Sequence, residues 1–175
     1  MKNAFIKVSL RYGLIAGVVC CLALVALYYM DRHPFLIPIT FDFRIFIFAV
    51  LMFFSLKEIR DYYQDGILYF WQGMLSCFMI VLTSAVLGAS FVLAFAKWNG
   101  DFISRYVAIL SKQLTDHKKE LIEQVTQKVY DEQVALLPHT SASGLATDYF
   151  LKSILIGLFL AIIFSVILRK QPKTN

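Results

Sequence analysis

Four apolar runs, and one long polar stretch ahead of the last of them, set the pattern of this chain. The first run covers 12–30, and the second starts near Ile39 and ends near Leu56. The third opens on Tyr69, Phe70 and Trp71 and reaches Ala96 without a charge, with Lys97 and Trp98 at its far end. The fourth covers about 149–168. A helix rises about 1.5 Å per residue, so each run approaches or exceeds the roughly 30 Å of a bilayer's hydrocarbon. The third, at about 40 Å, is expected to tilt or emerge. Hydrocarbon offers no water to backbone amides, so runs of this length satisfy them by forming helices. The pattern predicts an all-α integral membrane four-helix bundle, with spans at 12–30, 39–56, 70–97 and 149–168.

The polar stretch, 98–147, separates three spans in 1–97 from the fourth span and a basic tail in 148–175. Between Gly100 and Pro138 there is neither glycine nor proline. Apolar residues recur there at helical spacing: Ile103, Val107, Leu110 and Leu114, then Leu121, Val125 and Val129. A single rod of that length rises roughly 55 Å, whereas the return segment 138–147 reaches about 35 Å when fully extended. The fourth span would be stranded away from its bundle, so the helix is expected to fold back. Its stripe is interrupted by His117 and Lys118, and Thr115 or Asp116 is suited to cap a new helix. The expectation is an extracytoplasmic helical hairpin with arms at 100–114 and 116–137, preferred over a kinked helix lying on the membrane. Its apolar stripe is a surface for a partner.

Composition supports the membrane reading. Hydrophobic residues make up 59% of the chain and the mean hydropathy is +0.66, beyond the ordinary soluble range of about 45–50% apolar. The net charge of +5 does not point to nucleic acid, because its excess gathers at the two termini and beside Lys57 and Arg60. That distribution is a topology signal: both termini cytoplasmic and 98–147 periplasmic, in a bacterial inner membrane. Lys2, Lys7 and Arg11 precede the first run as in a secretory signal. The run has the length of a full span and no small-residue cleavage site after it, so an uncleaved span is expected.

Within lipid, leucine and phenylalanine gain little by packing on one another, and small residues mark where helices approach. Span four carries Ser153, Gly157, Ala161 and Ser165 at intervals of four, and span one carries Gly13, Gly17 and Cys21 at the same interval. Span three contributes Gly73, Ser84 and Gly88. Span two is crowded with phenylalanine, so spans one, three and four are expected to pack closely and span two to lie outermost.

Signs of chemistry are sparse. Cys20, Cys21 and Cys77 sit in apolar runs and read as packing residues, and His33, His117 and His139 lack metal-ligand spacing. No phosphate loop or nucleophile–base set is legible, so no cofactor, no metal and no enzyme activity is expected. Asp42 and Arg44 are two apart, which on a helix points them to different sides; snorkelling to the headgroups is the preferred reading and a buried functional pair the lesser one. Asp148 and Lys152, four apart, read as a helix ion pair near the interface, or as a charge partner for the insert or for an ionic ligand.

Taken together, the Lys57-Glu58-Ile59-Arg60-Asp61-Tyr62-Tyr63 loop, Gly66, the Tyr69-Phe70-Trp71-Gln72-Gly73 opening of span three, the Glu/Lys/Gln-rich insert and the basic end resemble the DUF4199 family. The resemblance implies a four-span bacterial inner-membrane protein and brings no catalytic residue with it. The expected function is a non-enzymatic scaffold or accessory subunit that presents the periplasmic hairpin within an envelope complex. The alternative is an oligomeric small channel or transporter. Expected partners are the lipid bilayer and other membrane or periplasmic proteins or further copies of the chain, with no nucleic acid and no identifiable small-molecule substrate.

Overall fold

A computed structural model describes residues 2–30, 32–38 and 41–171, without the side chains of 2–4, 119, 121 and 124. Among the described residues there are seven α-helices: α1 (Lys2–Tyr29), α2 (Phe43–Glu58), α3 (Phe70–Trp98), α4 (Asp101–Asp116), α5 (Lys118–Val125), α6 (Gln127–Leu136) and α7 (Ala142–Ile167). Three of these contain segments long and apolar enough to cross a membrane: Phe5–Tyr29, Phe70–Trp98 and Ala142–Ile167.

The second apolar run makes a shorter helix than its 39–56 expectation. Ile39 lies outside the described residues, and α2 starts only at Phe43 because Asp42 caps it, its carboxylate accepting from the Arg44 amide at 2.9 Å. Its 16 residues rise about 24 Å, short of a bilayer core. A π-helical turn, Ile59–Tyr63, prolongs it to a left-handed turn at Asp65 (φ 51°) and Gly66 (φ 77°). The other helices run longer than their apolar cores. The first begins at Lys2, and α7 begins at Ala142, where Ser141 Oγ accepts from the Gly144 amide at 3.1 Å. Its first turns therefore come from sequence counted as insert.

Helices α1, α3, α7 and α2 form a bundle in that cyclic order, with α3 lying along both α1 and α7. The bundle has an end where the insert joins and an opposite end where the start of α1 lies beside the π-helical turn. At the termini end Leu68 and Lys170 exchange backbone hydrogen bonds of 2.9 Å, fastening the end of α7 to the approach to α3. Span two is not merely peripheral: Phe48, Met52 and Leu56 are buried in the core, while Phe46 and Phe54 point outward.

The insert folds back on itself as three helices. Its turn is at His117, and a second break at Thr126 divides the expected second arm into α5 and α6. Thr126 adopts φ 71°, ψ 150°, a region costly for a β-branched residue. The break resets the helical phase, so the expected stripe does not continue across it. Val107, Leu110 and Leu114 pack with Ile122, Tyr130 and Leu137, while Val125 and Val129 face outward. The Tyr130 hydroxyl donates to the Leu114 carbonyl at 3.2 Å. Ile103 packs instead toward the bundle, and the side chain of Leu121 lies outside the described residues.

Candidate functional site

The insert end of the bundle holds the densest polar arrangement, built around Asp42 and Arg44. The separation expected of the two fails for a local reason. Asp42 is the extended cap residue (φ −66°, ψ 123°) rather than part of the helix, so its side chain folds over the first turn. Its carboxylate meets Nε of Arg44 at 2.9 Å and is ion-paired with Nη2. Both residues are only 5% exposed, so they do not snorkel. Arg44 turns into the bundle, where Nη1 donates to the Tyr149 carbonyl at 3.0 Å and to Ser153 Oγ at 2.8 Å. Its guanidinium stands 4.6 Å from the centre of the Tyr149 ring. One arginine thus joins the start of α2 to two positions of α7 that are one turn apart.

Tyr149 needs room, and Gly88 supplies it: a methyl group on Gly88 would overlap the ring. The other small residues divide into two kinds. Gly17 and Gly157 receive Leu87 and Val81 as sockets. Gly13 and Gly73 bring backbones together, since a Cβ there would come within 3.2 Å of the Ile80 and Ser165 Cα atoms respectively. Cys21, Ser84, Ser153, Ala161 and Ser165 are all buried.

Asp148 and Lys152 pair at 2.7 Å on the half-exposed side of α7. Lys152, Arg44 and Asp42 line a cleft with Leu24, Phe35 and Tyr149, whose volume is about 10 Å³. That is the space of one water molecule. The arrangement is a saturated lock between helices rather than a receptacle.

A second cluster lies beside it and was not anticipated from the sequence. His33, in the turn between α1 and α2, is 6% exposed. Its ring packs at a tilt against Phe102 (4.8 Å) and Tyr106 (5.3 Å) of α4, with Phe35 and Tyr28 beyond. Its Nε2 lies 3.1 Å from the Phe102 carbonyl, which can only accept, so Nε2 carries the proton. Nδ1 has no partner among the described residues. Burial lowers the pKa of His33 and the charge of Arg105 adds to this, against the opposing hydrogen bond to Phe102. Arg105 itself stands 5.4 Å over the Tyr28 ring. Burial, with a further contribution from Asp148, raises the Tyr106 hydroxyl. Together these residues bind α4 of the insert to α1, α3 and the first turn. The one signal in the sequence was the concentration of aromatic residues on both sides of two polar turns.

Among known protein families, a model described as a protein of unknown function (DUF4199) matches residues 11–170. No curated protein and no solved structure matches the chain.

Proposed function

We propose that this chain, which belongs to the DUF4199 family, is a non-enzymatic membrane anchor that holds its polar insert in a fixed pose for a protein partner. Apolar helices of spanning length support a membrane protein. The finer topology proposed is four crossings, with α2 and its π-helical turn as the short second one. Exposed Trp98, Tyr29 and Phe41 at the insert end, and Tyr62 and Trp71 at the other, suit two interfacial belts. The helix order leaves eight basic against three acidic residues at the termini end, and nine against nine at the insert end. All of the net +5 therefore sits at one end, which favours cytoplasmic termini and a periplasmic insert in a bacterial inner membrane.

The observation that carries the role is the fastening of α4 by His33, Phe102 and Tyr106. A free-swinging insert would need no buried aromatic clamp, whereas a display surface gains from being pre-oriented. Val129, Val134 and Leu136 face outward from α6 and offer the apolar contacts. The channel or transporter alternative draws no support from a polar cleft that holds one water. The test is affinity purification from native membranes in mild detergent, with and without Val129→Glu and Leu136→Glu. A stoichiometric partner that the substitutions release is the expected result. Recovery of the chain alone in both cases would sink the proposal.

A further inference from the structure

At the termini end, away from the polar lock, a groove of about 320 Å³ opens between α1, the π-helical turn and α3. Phe5 and Ile6 form one wall, Ile59 and Tyr63 another, and the third runs along α3 through Trp71, Leu75 and Met79. From Trp71 to Met79 it extends about 12 Å. Its volume falls in the range of small-molecule pockets, roughly 300–1,000 Å³.

The chemistry of the groove changes along its length. Tyr63, Gln64, Trp71 and Gln72, which carry its hydrogen-bonding groups, lie toward the chain-termini end. Ile59, Leu75 and Met79 lie nearer the middle of the bundle and are wholly apolar. Ile6 and Leu75 are also exposed on the outer surface, so the groove is continuous with the face that lipid would cover. Lys7, next to Ile6, is exposed, and this end carries the whole positive excess of the chain.

We propose that this groove seats one acyl chain of an anionic phospholipid, with the phosphate at the tyrosine and glutamine mouth, at the end of the bundle that carries the positive excess. The occupant follows from the gradient and the charge: an amphiphile with an apolar tail and an anionic head matches both, and such lipids gather at basic membrane-proximal segments. The inference rests on the membrane reading above and deepens it.

Two measurements separate the premise from the inference. Alkaline carbonate washing of membranes should leave the full chain in the pellet; its release would remove the membrane premise and the groove's occupant with it. Native mass spectrometry from micelles holding equal phosphatidylglycerol and phosphatidylcholine should then show one retained phosphatidylglycerol. Met79→Trp, which fills the deep end, should abolish that adduct. Lys7→Gln, at an exposed position that leaves folding intact, should lower the preference for phosphatidylglycerol roughly fivefold. A chain that stays in the membrane but retains no lipid, or retains both lipids equally, overturns the inference and leaves the membrane reading standing. So does a phosphatidylglycerol adduct unchanged by both substitutions.

Discussion

Gly157 on α7 and Leu114 on α4 are both buried, for opposite reasons. Gly157 matters for what it lacks: Val81 of α3 occupies the space where its side chain would be. Leu114 matters for what it brings, since with Tyr130 and Leu137 it makes the small buried cluster that folds the insert back. In lipid, as proposed for the bundle, apolar burial drives little. Helices gain by close fit and by hydrogen bonds that have no water to compete with them, such as the 2.8 Å contact between Ser9 and Ser76 hydroxyls. In water, as proposed for the insert, stability comes from removing apolar surface, and three buried residues give it little reserve. One chain is thus held together under two different rules, and the His33 cluster is where the two regions are joined.

The largest expected effect belongs to the buried ion pair. Arg44→Leu leaves Asp42 buried without its partner and removes the bonds to Tyr149 and Ser153, so thermal unfolding should show a loss of about 3–5 kcal/mol. Adding Asp42→Asn should recover much of it, because asparagine still caps α2. A loss below about 1 kcal/mol in the single variant would match an exposed pair instead and break the contrast. Gly157→Leu comes next. The new side chain meets Val81 and should cost about 1–3 kcal/mol in the bundle, read as a lower melting temperature in detergent. Leu114→Ala should cost about 2 kcal/mol, toward the low end for such truncations because the cluster is small. Faster hydrogen exchange should appear in α4 to α6 while α3 and α7 keep their protection; loss across the whole bundle would show that the two regions are not separate.

The smallest effect tests the joint. The pKa of His33 is lowered on folding, so the neutral ring is the form the clamp keeps. Its contribution is complete above the ordinary histidine value of about 6.5 and is lost as pH falls from there through the folded value. Arg105, Tyr28 and Tyr106 are the charged or titratable groups around it, and Arg105 opposes a second positive charge. Between pH 7 and 5, amide exchange near Phe102 and Tyr106 should accelerate. His33→Gln should flatten that dependence; a slope unchanged in the variant would assign it elsewhere.

The long apolar runs were legible because α1, α3 and α7 are each long enough for hydropathy alone to mark them. The insert's first arm and its turn near His117 were legible too, since the 3.6-residue rhythm stops there. Thr126 was not, because a threonine in a left-handed conformation leaves no trace in periodicity, and the expected second arm is therefore two helices instead of one. Arg44 was misread for a related reason: the spacing rule assumed a helix at Asp42, where the chain is still extended.

The order of residues alone determined which parts of this chain shun water, where its charge gathers and which positions are small enough for helices to meet. Those properties belong to each residue and its near neighbours. Only the tertiary structure decided that Asp42 and Arg44 are buried together, that Gly88 makes room for Tyr149, and that His33 clasps α4. Each of these depends on contacts between residues more than fifty positions apart or on a single backbone angle, and neither is written in a local pattern.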